Sequence, residues 1–341
     1  MTNFSIRVSG ADEKEFRCEA DDTILGGALR NGNGFPYECN SGGCGSCQFE
    51  LLDGEVEELW PDAPGLSPRA RERGRRLACQ CVPKTDLTIK ASFRDEYVPA
   101  VAPKKQSLTF VGAKQLTPDM TEFSFKASED AEFLPGQFAM LDLPGVEGLR
   151  AYSMSNLANA DGLWNFVIKR VPDGKGTAYL FDIMKSGDEI SLDGPYGNSY
   201  LRTDNGREII CVAGGSGLSP VLSILRGAVQ APELEGRGLK LFYGGRGPQD
   251  ICVHDIVAAD PLLSSRVEVH TAISDEEAPG ASEWTGARGF VHELVKNTLG
   301  DDIKEFDYYF CGPPPMTDAL QRMLMLEYKV PAKQMYFDRF Y

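Results

Sequence analysis

Apolar positions divide the chain of 341 residues into three segments whose periodicities differ. The first segment has short alternating runs, which are typical of half-buried strands, and a helical run that begins at a threonine behind two aspartates. We expect a small mixed sheet packed on one main helix. The predicted strands are 4–9, 15–19, 48–52 and 87–92, and the predicted helices are 23–30 and 68–73.

The second segment has regularly spaced strand-like runs separated by Pro and Gly, which favours an antiparallel barrel. Its predicted strands are 107–114, 121–126, 137–143, 150–155 and 163–171, with a helix at 178–185. The third segment alternates strands and helices, which favours a doubly wound parallel α/β sheet. Its predicted elements are 208–213, 219–229, 239–243, 266–271, 290–299, 308–311, 316–328 and 334–337.

Two breaks in composition set the expected domain boundaries. A Pro- and Lys-containing stretch lies near 97–106, and a polar stretch at 203–206 precedes a strongly apolar run. The expected domains are 1–96, 106–204 and 205–341, with a linker at 97–105.

Charge and cysteine content narrow the function classes. The net charge is −15, which disfavours a phosphate-tracking nucleic-acid binder. We find no apolar run long enough for a transmembrane helix and no signal-peptide pattern, so the expected location is the cytoplasm and no membrane partner is expected. Nine cysteines, an odd number, in a reducing compartment favour metal or redox roles over a disulfide framework.

The cysteine loop carries the most specific chemical signal. Cys39, Cys44 and Cys47 have the C-x4-C-x2-C spacing of plant-type [2Fe–2S] proteins. A zinc ribbon is the alternative, but it requires paired C-x2-C units. Both Cys79 and Cys81 are available as the fourth ligand. They would share a face in a strand, so the pattern leaves this choice open.

A possible flavin site lies on a predicted barrel strand. An arginine can bind a pyrophosphate, a tyrosine two residues on can stack on a planar ring, and the adjacent serine can bond a ring nitrogen. A Gly- and Thr-containing helix start follows at 174–177 and suits a second phosphate contact. An ordinary strand is the alternative interpretation of the first motif alone. The candidate residues are Arg150, Tyr152, Ser153, Asn156, Lys175, Gly176 and Thr177.

A possible dinucleotide site lies at the carboxyl ends of two predicted strands of the third segment. The glycines at 214–217 allow a pyrophosphate to approach the backbone, although the strict G-x-G-x-x-G pattern is absent. Cys311 ends another strand, where we expect it to be accessible to a nicotinamide ring; packing at the strand end is the alternative. The candidate residues are Gly214, Gly215, Ser216, Gly217, Leu218, Cys311, Gly312, Pro313 and Met316.

These motifs occur in an order that resembles the ferredoxin–NADH reductases of multicomponent bacterial oxygenases. R-A-Y-S-M-S-N, G-G-S-G-L-S-P and C-G-P-P-P-M follow the cysteine loop in turn, and the resemblance covers the whole chain. Residues 35–44, 55–66 and 337–341 look like the reductase component of toluene monooxygenases. The resemblance implies a β-grasp plant-type ferredoxin domain, an antiparallel β-barrel FAD-binding domain and a doubly wound α/β NAD-binding domain.

The resemblance also implies roles for particular residues. It places the fourth cluster ligand at Cys79, after a Leu-Ala pair, and it places Ile168 and Lys169 along the flavin. It implies that Asp338 lies beside the flavin and that Phe340 covers the ring as an aromatic lid. The residues assigned to the reaction itself are Ser153, Cys311, Asp338 and Phe340.

The expected function is electron transfer from NADH through FAD and a [2Fe–2S] cluster to a Rieske ferredoxin or a diiron hydroxylase. Arg246 would favour NADPH and Asp250 would oppose it, and the resemblance decides for NADH. We expect a monomer. The alternatives are the reductase of a Rieske ring-hydroxylating dioxygenase or of a methane monooxygenase, and, in another class, a ferredoxin-type carrier without enzymatic activity.

Overall fold

The N-terminal sheet has five strands in the order β2-β1-β7-β3-β5, in a computed structural model that describes residues 2–10 and 14–339. A two-stranded sheet, β4-β6, lies beside it. The strands are β1 (Asn3–Val8), β2 (Lys14–Glu19), β3 (Gln48–Asp53), β4 (Val56–Glu58), β5 (Arg75–Leu77), β6 (Cys81–Pro83) and β7 (Leu87–Lys90), and the helices are α1 (Ile24–Arg30) and α2 (Pro68–Glu72).

Helix α1 forms where the sequence predicts it. The Thr23 hydroxyl accepts the N–H of Gly26 at 3.0 Å, which satisfies one of the free donors at the helix start. Leu25 and Leu29 are fully buried in the core of this domain. The expected mixed sheet packed on one main helix is confirmed.

The second domain is a six-stranded antiparallel sheet in the order β11-β10-β13-β8-β9-β12, and the expected barrel-type FAD-binding fold is confirmed. One strand and the helix differ from prediction. β13 was not predicted, because its Gly-Pro pair is unusual in a central strand. The helix begins before 178 and continues as a wider turn at Tyr179–Ile183. The elements are β8 (Lys104–Thr117), β9 (Met120–Lys126), β10 (Phe138–Asp142), β11 (Arg150–Ser153), β12 (Leu163–Lys169), α3 (Lys175–Ala178) and β13 (Glu189–Tyr196).

The third domain has a six-stranded parallel sheet in the order β17-β16-β15-β14-β18-β19, which confirms the doubly wound α/β prediction. Helix α4 packs on one face of the sheet and helices α6 and α7 pack on the other. The elements are β14 (Ile209–Gly214), α4 (Leu218–Gln230), β15 (Leu239–Gly245), α5 (Val253–Ala259), β16 (Val267–Ile273), β17 (Ala287–Arg288), α6 (Val291–Leu299), β18 (Asp307–Gly312), α7 (Pro314–Arg322) and β19 (Met335–Arg339).

The barrel contacts both neighbouring domains. Its residues Phe138, Met140 and Tyr196 pack into the core of the ferredoxin domain. Met120 and Val167, on other strands of the barrel, pack into the core beneath α4. The barrel therefore lies between the other two domains. Across the described residues, no helix combines the length and apolarity needed to cross a bilayer.

Candidate functional site

The loop between α1 and β3 supplies three thiols, and a turn at Ala78–Gln80 supplies the fourth, Cys79. The Sγ atoms of Cys47 and Cys79 lie 3.3 Å apart, and Cys39 Sγ accepts the backbone N–H of Cys44 at 3.4 Å. In the part of the chain that the structure describes, no three thiol, carboxylate or imidazole groups converge as a single-metal site requires. Two thiol pairs instead suit a two-iron centre, in which each iron takes two thiolates.

Several donors of this loop point at the sulfur of Cys39. The N–H of Ser41 also donates to Cys39 Sγ, at 3.4 Å. Hydrogen bonds from Cys44 and Ser41 lower the pKa of the Cys39 thiol to about 5. Gly45 has a φ of 80°, and a Cβ there would lie 2.4 Å from the carbonyl oxygen of Gly65. Glycine is therefore required for the loop to fold against residue 65.

The structure separates the two candidates for the fourth ligand. Cys79 lies in the turn Ala78–Gln80, whereas Cys81 begins β6 and is 1% exposed. Burial raises the pKa of the Cys81 thiol to about 12. The expectation that both side chains share one strand face is wrong, because the turn rotates Cys79 towards Cys47.

The two parts of the predicted flavin site come together. A Cβ built on Gly176 would lie 3.3 Å from Cγ of Arg150 and 3.4 Å from the hydroxyl oxygen of Tyr152. The strand motif and the helix start, separated in sequence, are therefore neighbours. Arg150 Nη1 donates to the carbonyl oxygen of Gly148 at 3.1 Å. Burial raises the pKa of Tyr152 to about 12.

Two other predicted flavin residues use their side chains within the barrel. The Thr177 hydroxyl donates to the carbonyl oxygen of Gly174 at 3.1 Å. Asn156 donates to the carbonyl oxygen of Leu163 at 2.7 Å and accepts the N–H of Asn165 at 3.0 Å. These bonds hold the start of α3 and the start of β12 in place, so the cofactor contacts of both residues stay predictions.

The end of β12 reaches the dinucleotide-binding domain. Lys169 Nζ lies 2.8 Å from Asp119 Oδ2. A Cβ added at Gly215 would lie 3.3 Å from Lys169 Cδ. Ile168 is buried in the barrel core, while Lys175 is exposed at the start of α3. Lys169 therefore connects the two predicted sites.

The glycine loop lies directly against the end of β18. A Cβ on Gly217 would lie 2.0 Å from the carbonyl oxygen of Cys311, and one on Gly214 would lie 2.8 Å from Sδ of Met316. Gly215 has a φ of 55°. Side chains at these positions would push apart the loop and the strand, so the close approach depends on glycine.

Cys311 is buried at the end of β18. It lies between Ala213 of β14 and Asp338 of β19 and is 2% exposed. Burial raises the pKa of its thiol well above the usual range. Strands flank Cys311 on both sides, and its expected contact with a nicotinamide ring stays a prediction. Of the remaining predicted residues, Ser216 is partly exposed, Leu218 and Gly312 are buried, and Pro313 is exposed.

All three domains meet at the segment that follows β13. The N–H of Gly197 donates to the hydroxyl oxygen of Tyr37 at 2.9 Å, and the Asn198 side chain donates to the Tyr37 carbonyl oxygen at 3.3 Å. Tyr37 precedes Cys39 by two residues. The cysteine loop is thereby held against the barrel.

The same segment contacts the last strand of the third domain. The Ser199 hydroxyl donates to the carbonyl oxygen of Phe337 at 2.9 Å. Burial raises the pKa of the adjacent Asp338 carboxyl to about 6, opposed by a hydrogen bond from Ser199. Phe340, the predicted lid, lies outside the described residues.

Sequence reasoning missed a polar contact between α4 and the flavin strand. The Ser219 hydroxyl donates to the carbonyl oxygen of Ser153 at 2.6 Å and accepts the N–H of Val167 at 3.0 Å. One turn later, the Ser223 hydroxyl donates to the carbonyl oxygen of Asn156 at 2.7 Å. The signal available in the sequence was the spacing of Ser219 and Ser223, which places two hydroxyl groups on the same face of the helix.

Comparisons with known proteins agree with this architecture. Residues 6–84 match the family described as "2Fe-2S iron-sulfur cluster binding domain". Residues 107–200 match "Oxidoreductase FAD-binding domain", and residues 211–322 match "Oxidoreductase NAD-binding domain". The cofactor set predicted from the sequence, a [2Fe–2S] cluster, FAD and NAD, is confirmed at the level of these domains.

Full-length relatives have the same organisation. A ferredoxin–NAD(P)(+) reductase of Metapseudomonas resinovorans is 43% identical, over 95% of this chain and 96% of the relative. The xylene/toluene monooxygenase electron transfer component of Pseudomonas putida is 34% identical, over 96% of this chain and 91% of its own. The solved structure of a ferredoxin reductase in carbazole 1,9a-dioxygenase has a TM-score of 0.90 at 40% identity, covering 100% of this chain and 99% of that one.

Relatives that are 30–40% identical align with all three domains, and they include electron-transfer components of both monooxygenases and dioxygenases. The resemblance noted from the motifs is therefore confirmed. The chain belongs to the family of ferredoxin–NAD(P)+ reductase components of multicomponent oxygenases, flavin- and iron–sulfur-dependent oxidoreductases with [2Fe–2S], FAD-binding and NAD-binding domains.

Proposed function

We propose that this reductase passes electrons from NADH through FAD and a [2Fe–2S] cluster to an acceptor protein of an oxygenase system. One observation carries the proposal. The segment Gly197–Ser199 bonds Tyr37 beside the cysteine loop and Phe337 at the end of the dinucleotide-binding domain. Phe138 pairs with Tyr196, at the end of β13, and with Ser153 on the predicted flavin strand. The cysteine loop, the flavin strand and the end of β19 therefore border one region of the barrel, as a short electron path requires.

Cys39, Cys44, Cys47 and Cys79 are the proposed cluster ligands. The pairing of their sulfurs and the N–H donors aimed at Cys39 support this set. Cys81 is excluded from our proposal because it begins strand β6, whereas the Sγ of Cys79 lies 3.3 Å from that of Cys47. The chemistry supplied by such a cluster is the acceptance of one electron at a time.

Arg150, Tyr152 and the start of α3 are proposed to hold the flavin nucleotide. The guanidinium suits a pyrophosphate, the tyrosine ring suits stacking, and backbone N–H groups near Gly176 suit a second phosphate oxygen. Ser153 is held in place by Ser219, so the flavin strand cannot shift relative to α4. A bound flavin supplies the conversion between hydride transfer and single-electron transfer.

The glycine loop and the end of β18 are proposed to bind the dinucleotide, with Cys311 packing behind the nicotinamide-binding surface. We propose NADH as the coenzyme. The Asp250 carboxylate accepts the N–H groups of Arg246 at 2.9 Å and Gly247 at 3.0 Å, which fixes a negative charge beyond the end of β15. Such a charge repels the 2′-phosphate of NADPH.

Asp338 is proposed to hold a proton beside the flavin site. Its raised pKa allows the carboxyl to exchange a proton near neutral pH, and Ser199 and Cys311 fix its position. Phe340 is proposed as the aromatic lid on the strength of the family resemblance alone.

The acceptor is proposed to be a Rieske ferredoxin or a diiron hydroxylase. The first fits a dioxygenase system, which the similarity to the carbazole 1,9a-dioxygenase reductase favours; the second fits a toluene-type monooxygenase, which the similarity to the xylene/toluene component favours. We further propose that the protein is monomeric. We also propose that it is cytoplasmic, since none of its nine cysteines forms a disulfide, as in a reducing compartment.

Three measurements on the full-length protein test the proposal. NADH–ferricyanide turnover reports the flavin and dinucleotide sites, and electron paramagnetic resonance after anaerobic NADH addition reports reduction of the cluster. Reduction of an added Rieske ferredoxin or diiron hydroxylase by NADH reports the complete path. A carrier without enzymatic activity would show none of these reactions with NADH, and that result would refute the proposal.

A further inference from the structure

A basic surface lies beside the cysteine loop of this acidic protein. Five arginines and one glutamate occur between positions 68 and 76, although the whole chain carries a net charge of −15. Arg69, Arg73 and Arg75 are exposed. Among the described residues, no carboxylate lies within 4.0 Å of these three guanidinium groups, since the neighbouring Glu58 pairs with Arg71 and Arg76 instead.

Two large apolar side chains lie in the segment that joins β4 to α2. Leu59 is 53% exposed and Trp60 is 46% exposed. Together with Arg69, Arg73 and Arg75 they define what we call the exit patch. Trp and Arg are the side chains most enriched at the energetic centres of protein interfaces.

The exit patch is fixed to the cysteine loop by several contacts. A Cβ added at Gly42 would lie 3.2 Å from Cε3 of Trp60. The N–H of Gly65, in the same segment as Trp60, donates to the carbonyl oxygen of Gly42 at 2.9 Å. The N–H of Leu59 donates to the carbonyl oxygen of Gln80, next to Cys79, at 2.8 Å. A protein bound at the patch would therefore lie close to the thiol pairs.

The barrel reaches the loop at a different place. Its hydrogen bonds run from Gly197 and Asn198 to Tyr37, ahead of the first cysteine. The patch residue Trp60 instead contacts Gly42, inside the loop, and Gly65, which follows Trp60 in the same segment, approaches Gly42 and Gly45. Electrons supplied from the barrel side can thus leave through the patch side without any displacement of the barrel.

We propose that the exit patch is the docking surface for the electron-acceptor protein, and that this acceptor presents carboxylates around its redox centre. The proposal rests on the proposed function. It specifies the charge of the partner's binding surface and the surface of this chain to which the partner binds. The unpaired guanidinium groups steer an acidic partner towards the loop, while Trp60 and Leu59 supply the desolvated contact. The rest of this acidic chain repels such a partner, which restricts productive encounters to the patch.

The test uses the full-length protein with its cofactors and a Rieske ferredoxin of net negative charge as acceptor. The variant carries Arg69→Glu, Arg73→Glu and Arg75→Glu. The matched control carries Lys304→Glu, Lys329→Glu and Lys333→Glu, which changes the net charge equally at exposed positions of the third domain. Ferricyanide and the basic protein cytochrome c serve as comparison acceptors.

At low ionic strength, the arginine variant is expected to lose about 10- to 1000-fold in kcat/KM for the acidic ferredoxin. That loss should shrink as salt is added, and the lysine control should lose far less. Trp60→Ala should weaken ferredoxin reduction about tenfold at every salt concentration. NADH–ferricyanide turnover should be unchanged in all variants, and cytochrome c reduction should not fall in the arginine variant.

Equal kcat/KM values for the acidic ferredoxin in the arginine variant and the lysine control would refute the exit patch as the docking surface. The proposed function would remain intact. The docking proposal is also refuted if the wild-type protein reduces ferricyanide with NADH but shows no saturable reduction of the acidic ferredoxin. Loss of wild-type self-association in the arginine variant, without a change in ferredoxin kinetics, would assign the patch to a second copy of this chain and overturn the proposal. Failure of NADH to reduce the cluster in the wild-type protein would instead refute the proposed function itself.

Discussion

Replacing Arg30 with methionine would break the ion-pair network that joins the ferredoxin domain to the barrel. Arg30, on α1, lies 2.8 Å from Asp193 of β13 and 3.1 Å from Asp22. Its Nη1 also donates to the hydroxyl oxygen of Tyr196 at 3.3 Å. The side chains of Asp22 and Asp193 are 4% and 14% exposed, so neither carboxylate can be solvated well without Arg30.

The expected cost follows from this burial. Removing one partner of a buried pair typically costs about 3–5 kcal/mol. Lys105 Nζ, 3.7 Å from Asp22, offsets part of that cost, whereas Asp193 keeps no other ion-pair partner among the described residues. Burial already raises the pKa of Asp22 and Asp193, and loss of Arg30 raises both further. Because a raised carboxyl pKa in the folded state lowers stability as pH rises through it, Arg30→Met should cost more at pH 8 than at pH 5.

This cost can be measured by urea unfolding, with the visible absorbance of the cluster as the signal. Arg94→Met is the matched control, since Arg94 is 60% exposed and its single partner Glu96 is 65% exposed. That pair should contribute at most about 1 kcal/mol. In Arg30→Met, transfer of electrons from NADH to the cluster should also slow, while ferricyanide turnover persists. A stability loss no larger than that of Arg94→Met, or one independent of pH, would refute the reasoning.

Four further outcomes follow from the sites. Cys81→Ser should leave the electron paramagnetic resonance signal of the reduced cluster intact and Cys79→Ser should abolish it; the reverse pattern would reassign the ligand. Gly217→Ala should raise KM for the coenzyme at least about tenfold, because its Cβ would overlap the carbonyl oxygen of Cys311; an unchanged KM would place the coenzyme elsewhere. The wild-type free energy of unfolding should fall as pH rises from about 4 to above 6 through the raised pKa of Asp338. Asp338→Asn should reduce that dependence, leaving the part due to Asp22 and Asp193, and an unchanged slope would contradict the assignment to Asp338. kcat/KM should be higher for NADH than for NADPH, and the opposite preference would contradict the role given to the carboxylate beyond β15.

The sequence predicted most elements because their signals are local. The spacing of Cys39, Cys44 and Cys47 and the glycines before α4 each indicated a site within a few residues, and the periodicity of the third segment indicated its sheet. These features depend on backbone geometry and neighbouring side chains alone.

Long-range contacts account for what was missed. Strand β13 forms because β10 and β8 pair with it on both sides, which outweighs its Gly-Pro pair. The thiol of Cys79 reaches Cys47 only because a turn interrupts the expected strand. The bond from Ser219 to Ser153 joins residues 66 positions apart, and no local pattern indicates such a partner.

That serine contact has a consequence for how such reductases can be assembled. Ser219 and Ser223 attach α4 to the strand and loop of the barrel, so the second and third domains form one mechanical unit that handles two-electron chemistry. The ferredoxin domain joins this unit through side chains such as Arg30 and Tyr37. A different one-electron module could therefore replace it, provided that the module offers a guanidinium to Asp193, a hydroxyl to the backbone after β13 and an apolar surface to Phe138, Met140 and Tyr196.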